Sequence, residues 1–178
     1  IRPRHILPLM TVLAVQGRNP HWQWWVEKCG DPRPAGGYIG LVRGALPRVE
    51  PRPPGELPAS RLFAGTGQAV LNSRLDDAAE SVQLVFKSSP FGTQSHGYEA
   101  NNSFLLWAYG ERLLIRTGRR DIYGSRHHQW WMWSTRSTTC ITVGGRGQQR
   151  HSAAARGRIP GFHPSPALDL VLGEAGGA

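Results

Sequence analysis

The residues whose types and spacing could do chemistry gather between Phe86 and Gln148, in FKSSPFGTQSHGYEANNSFLLWAYGERLLIRTGRRDIYGSRHHQWWMWSTRSTTCITVGGRGQ. His96 stands in QSHGYEANNSF, on a stretch that leads from a Ser-Ser-Pro turn into an apolar run at Phe104. A histidine offered by a loop held on a sheet can transfer a proton or neutralise an acid. Ser95, Asn101, Asn102 and Ser103 surround it with polar groups that a core position would lack. A structural or incidental role remains the competing reading for any lone histidine. His127 and His128 form an adjacent pair, and Trp130, Trp131 and Trp133 follow at once. Tryptophans of this kind can stack on sugar rings or nucleobases. Packing beneath a sheet is the simpler expectation for most of the three. Arg119, Arg120 and Arg126 flank Asp121 and Tyr123, where they could grip a carboxylate or form solvated ion pairs.

Several chemistries are poorly supported. Neighbouring residues of an extended chain point to opposite sides, so His127 and His128 would not ligate one metal together, although either could hydrogen-bond a substrate. No HxH, HExxH or carboxylate at ligand spacing stands beside them. The clusters at Gly65 and Gly144 match neither a phosphate loop nor a dinucleotide fingerprint and read as turns. No GxSxG elbow is present. Cys29 and Cys140 lie far apart without CxxC spacing, which favours two buried free thiols over a single long-range bridge.

The elements that must position these residues are mainly β. Val82, Leu84 and Phe86 alternate with Ser81, Gln83 and Val85, the pattern of a strand with one strongly apolar face. Phe104 to Tyr109 and Leu113 to Thr117 predict two more strands around a tight hairpin at Gly110-Glu111. Ile141 to Val143 and Leu168 to Leu172 predict a further two. Residues 59–178 are thus expected to form an antiparallel β-sandwich or layered sheet. Residues 1–47 read as helical or irregular, with an apolar tract from Ile6 to Val15 and tryptophans at 22, 24 and 25. Between them, residues 48–58 hold four prolines and a glycine, which forbid a continuous helix or central strand and mark a linker.

Composition narrows the partners. The net charge is +9, and all but Lys28 and Lys87 of the 21 basic Lys and Arg residues are arginine. Guanidinium forks suit carboxylate, sulfate or phosphate. The arginines are scattered along the chain instead of forming a basic stripe with interleaved aromatics, which argues against nucleic acid. No apolar run approaches the ~20 residues of a membrane span. Ile1 is not an initiator methionine and Leu168 to Ala178 read as a strand breaking off into a Gly-Ala tail, so the expectation is a piece of a longer protein.

The run SHGYEANNSFLLWAYGERLLIRTGRRDIYGSRHH, followed by STRSTTCITVGGRGQ, resembles the β-domain signature of the heparinase II/III-like polysaccharide lyases. That signature reads approximately SHxHxDxNSF, then IDSGYYDYYGSPHH, then AHNTVxVDGxGQ. The resemblance covers most of Phe86 to Gln148 and extends more weakly to Pro58 and Leu172. It implies an N-terminal α/α toroid followed by an antiparallel β-sheet domain, with substrate held in the cleft between them. Residues 1–47 would then be the last piece of a toroid that the chain otherwise lacks. It also implies a periplasmic or extracellular setting and an acidic polysaccharide of glycosaminoglycan or alginate type as partner.

By the same resemblance, zinc-containing members bind the metal through the second histidine of SHxH, the aspartate of the IDSG segment and the histidine of AHNT. The matching positions here are Tyr98, Arg116 and Thr138. Joint replacement of all three implies no zinc and no other cofactor, with the Tyr/Arg/Thr cluster standing in for the metal. The first histidine is kept as His96, which would neutralise the substrate carboxylate or act as base. Tyr98 and Tyr123 are secondary catalytic candidates. Asn102, Arg116, Arg119, His127 and His128 are candidates for holding substrate. The expected function is β-elimination of a uronate-containing glycan by the parent protein, with this chain inactive alone. A non-catalytic carbohydrate-binding β-module is the alternative.

Overall fold

The computed structural model describes residues 6–30, 38, 41, 44–45, 47–93, 97–118 and 121–178. His96 and Arg119 therefore lie outside the described residues, as do Ser95 and Arg120. The chain divides into two compact units, Ile1–Leu57 and Pro58–Ala178.

In the first unit, α1 (Leu7–Gln16) and α2 (Pro20–Lys28) pack as a short helical pair that buries Leu7, Ala14 and Val26. Asn19 caps α2: its side-chain oxygen accepts from the backbone N–H groups of His21 and Trp22 at 3.0 and 3.1 Å. Pro20 takes the first helical position, where no N–H is needed. The proline-rich stretch holds a 3₁₀ turn at Pro54–Glu56, and Arg52 and Glu56 form an ion pair beside His21.

The second unit is mainly antiparallel β. Strands β1 (Arg61–Phe63), β2 (Gln68–Asn72), β3 (Val82–Lys87), β4 (Ser103–Ala108) and β5 (Glu111–Leu114) form a five-stranded sheet in sequential order. Strands β6 (Arg158–His163) and β7 (Leu170–Glu174) form a separate two-stranded sheet. Register puts Leu71, Leu84 and Leu106 in one cross-strand row, and Ala69, Phe86 and Phe104 in another on the same face. Alternation within β3 therefore produces its apolar face in three strands at once.

Five local expectations need correction. The β4–β5 turn is Tyr109-Gly110, since Ala108 pairs with Glu111. Both turn residues have positive φ, 54° and 81°, the geometry of a two-residue hairpin turn that suits strand twist. The following strand accordingly ends at Leu114 instead of reaching Thr117. Residues 141–143 are not a strand; only Val143 bridges to Arg146, because the glycines at 144 and 145 turn the chain back. The His127-His128 pair is helical instead of extended, at the start of a π-helical turn spanning His128–Met132. Trp133 is buried as expected, but Trp130 and Trp131 are 68% and 39% exposed.

Candidate functional site

Residues 97–101 enter β4 alongside the segment from Met132 to Gln148. The Glu99 N–H donates to the Trp133 carbonyl at 3.0 Å. Gln148 then acts like a missing strand partner. Its side-chain oxygen accepts from the Asn101 N–H at 2.9 Å, and its amide donates to the Asn101 carbonyl at 2.7 Å. The Asn101 side chain is 1% exposed and fixes two more segments. It accepts from the Ser89 N–H and donates to the Ala155 carbonyl, both at 2.8 Å. Gly157 passes so close that a Cβ there would sit 2.2 Å from Ser88 Oγ and 3.1 Å from Asn101 Cγ, so only glycine fits.

This frame gathers a line of rings. Tyr98 stacks on Trp133 with centroids 5.0 Å apart. Trp133 meets the edge of His128 at 5.4 Å and of His151 at 5.6 Å. His128 in turn lies 4.7 Å from the Tyr123 ring. The Arg116 guanidinium sits 3.8 Å from the Tyr98 centroid, a close cation–π contact. Of the residues singled out from sequence, Tyr98, Arg116, His128 and Tyr123 are thus brought together. His128 is buried; its Nδ1 accepts from the Gly124 N–H at 3.1 Å, and its Nε2 is buried without a hydrogen-bond partner among the described residues.

The others are placed elsewhere. His127 is exposed, and its charge helps hold the Asp121 carboxyl below its ordinary value, after the larger effect of the Ser125 hydrogen bond. Asn102 adopts a left-handed conformation (φ 60°) and donates to the Gly173 carbonyl in β7 at 3.3 Å. Thr138 turns its hydroxyl to the Thr135 carbonyl at 2.7 Å, inside its own turn. Among the described residues no three His, Cys, Asp or Glu side chains gather to hold a metal. The residues at the zinc positions do not fit the ion: a guanidinium carries positive charge and lends no lone pair, and here it lies against the tyrosine ring. Neither Cys29 nor Cys140 is in a disulfide, and both are half-buried instead of fully enclosed.

Three participants, Glu99, Arg150 and His151, were missed in the sequence. Glu99 is 6% exposed, and its Oε1 has no hydrogen-bond partner among the described residues. Burial pushes its carboxyl above the ordinary glutamate value, outweighing Arg150, the Thr135 N–H and His151, which pull it down. Arg150 lies with Nε 3.8 Å from that oxygen, donates to the Gln129 carbonyl and places its guanidinium 4.8 Å from the Trp130 centroid. Arg150 therefore links a buried acid to an exposed aromatic ring. The signal was the pair of basic residues, Arg150 and His151, immediately after GGRGQ.

A family model described as heparinase II/III-like, C-terminal, matches residues 55–163. Solved structures share the fold. A heparinase III with methylated lysines gives a TM-score of 0.66 at 15% identity, covering 98% of this chain and 23% of that one. The heparan sulfate lyase HepC from Pedobacter heparinus gives 0.62 at 14%, covering 98% and 24%. A further heparinase III gives 0.55 at 18%, covering 93% and 25%. The chain thus spans about a quarter of the length of these structures. No curated protein matches the sequence.

Proposed function

The chain belongs to the heparinase II/III-like family by its C-terminal domain, and from that membership we propose that its parent is a polysaccharide lyase cleaving an acidic, uronate-containing glycan by β-elimination. The observation that carries the reading is the family match across residues 55–163, which includes the SHGYEANNSF motif and His96.

In the reaction, a base removes the C5 proton next to the uronate carboxylate. The electron pair forms a C4–C5 double bond, the C4–O bond breaks, and the departing oxygen takes a proton. The C5 proton is weakly acidic, so the carboxylate must be neutralised for charge to build on it. His96 serves as neutraliser or base, with Tyr98 and Tyr123 as secondary acid–base groups and Arg119 as a carboxylate partner. Arg116, held against Tyr98, adds fixed positive charge beside that ring. Trp130 and Arg150 offer an exposed ring beside a cation, a surface suited to an acidic sugar. His127, His128 and Asn102 are subsidiary substrate contacts in this reading.

The domain holds no zinc in this reading; the Arg116–Tyr98 contact ties together the backbone that the metal secures elsewhere in the family. Residues 1–47 are the end of a helical toroid whose remainder supplies further catalytic groups. The 178-residue chain is by itself inactive, in keeping with its spanning about a quarter of the structures it resembles. A periplasmic or extracellular location suits a polymer substrate, and among the described residues no helix is long and apolar enough to cross a membrane.

The test is to incubate the full-length parent with a panel of uronate polymers and follow the ultraviolet-absorbing unsaturated product. Folded protein that yields none from any polymer sinks the lyase reading. Glycan binding without turnover would instead favour a carbohydrate-binding module.

A further inference from the structure

The second face of the five-stranded sheet carries a row that the lyase reading does not use. Asn72 on β2 pairs with Gln83 on β3, and Gln83 pairs with Trp107 on β4. These positions alternate with the leucine row at 71, 84 and 106, so the two rows occupy opposite faces. A cavity of about 250 Å³ opens over the row, lined by Asn72, Gln83 and Trp107 together with Arg74, Ser81 and Gly110. One rim is the hairpin tip, where a Cβ added to Gly110 would meet nothing within 4 Å.

The polar groups of this cavity are held in fixed orientations. Gln83 Nε2 donates to Asn72 Oδ1 at 2.7 Å, and Asn72 Nδ2 donates to the Ala59 carbonyl at 2.8 Å. That chain fixes both amide planes and turns the Gln83 carbonyl oxygen into a ready acceptor. The Ser81 hydroxyl, donating to the Arg74 carbonyl at 2.8 Å, keeps its own lone pairs for a donor. Trp107 is half-buried beside these amides and provides an aromatic wall.

Charge at the rim selects the ligand. Arg74 is held by both Asp76 oxygens, at 2.8 and 3.0 Å, and Asp77 and Glu80 add two further negative charges around it. Arg74 is the charged residue among those lining the cavity, and its guanidinium is already paired with a carboxylate. A uronate or a sulfate would therefore have to compete with Asp76 for that cation, whereas a neutral ligand would not. The cavity falls just below the ~300 Å³ at which sites for larger small molecules begin, which restricts it to about one ring. We propose that this cavity is a binding site for a single neutral pyranose unit, its C–H face on Trp107 and its hydroxyls on Gln83, Asn72 and Ser81.

The experiment uses the 178-residue chain and saturation-transfer NMR with methyl β-glucoside, methyl β-galactoside and cellobiose, with glucuronate as the charged counterpart. At least one neutral probe should bind, and glucuronate should bind at least about tenfold more weakly. Trp107→Ala and Gln83→Ala should each weaken the neutral probe about tenfold, the scale of one lost ring or hydrogen-bond contact. Gln83→Ala keeps the indole, so it decides the matter alone if Trp107→Ala fails to fold. The proposal is overturned if no neutral probe binds, if glucuronate binds equally well, or if folded variants bind as the original does. It is also overturned if the parent loses binding that the chain shows, since another segment then fills the cavity. Turnover of a uronate polymer bears only on the lyase reading.

Discussion

The Arg116 guanidinium lies 3.8 Å from the centre of the Tyr98 ring, joining the strand-to-turn segment after β5 to the loop that enters β4. Arg116 also approaches the Met132 sulfur at 4.0 Å, and its Nε is buried without a hydrogen-bond partner among the described residues. The contact is therefore carried by the ring and its packing more than by hydrogen bonds. Arg116→Ala should lower stability by about 1–3 kcal/mol, the sum of a desolvated cation–π contact and lost packing. Arg116→Lys should recover only part of this, because an ammonium does not stack as a planar guanidinium does. Urea denaturation of the three proteins measures both.

A metal-free domain should be indifferent to chelators. Dialysis against a strong chelator is expected to leave the melting temperature unchanged, and added zinc should not raise it. A chelator-sensitive original protein would refute the zinc-free reading.

Glu99 gives the pH dependence its sign. Burial raises its folded-state carboxyl above the ordinary value of 4.5, so the folded protein binds that proton more tightly than the unfolded chain does. Its contribution to stability is full below 4.5 and is lost as pH rises through the raised value. Glu99→Gln keeps the shape and removes the titration. The variant should be more stable than the original at neutral pH, with the difference shrinking toward pH 4. Thermal melts across that range measure it; a constant difference at every pH would refute the assignment.

Asn101 should be the most sensitive polar position. Asn101→Ala leaves the Ser89 N–H and the Ala155 carbonyl buried without partners, which predicts a loss of about 2–5 kcal/mol. Asn101→Asp keeps the acceptor for Ser89 but sets a carboxylate against the Ala155 carbonyl, and should be comparably unstable. Denaturant midpoints of the two variants decide this.

His96 and Trp130 should separate catalysis from binding in the parent enzyme. His96→Ala should cut turnover by at least ~100-fold if the residue does acid–base work. Trp130→Ala removes a ring that is 68% exposed, so stability should hold while KM for a uronate polymer rises several-fold. An unchanged KM with a lowered melting temperature would mean that another part of the parent covers the ring.

The sequence by itself determined the elements whose periodicity is local. The alternation at Val82–Phe86 and the run from Phe104 belong to β3 and β4, because a period of two leaves few other ways to bury an apolar face. It also carried the family, through ordered motifs from SHGYEANNSF to GGRGQ. It did not reveal the π-helical turn, since His128–Met132 is too short for a periodicity and is held by the packing of His128 and Met132. The short strands β1, β2 and β6 were unreadable for a similar reason. Each gains its hydrogen bonds and its buried side from a neighbour, not from its own pattern. Nor could spacing place Glu99 beside Arg150, or Trp107 beside Gln83 and Asn72. Those neighbours are residues apart in sequence and meet only through strand register and loop closure. Residue types were enough to suggest which chemistry the chain could support. Which side chains share a surface, and which charges are buried or exposed there, was decided by the tertiary structure, because desolvation and contact depend on distance in space.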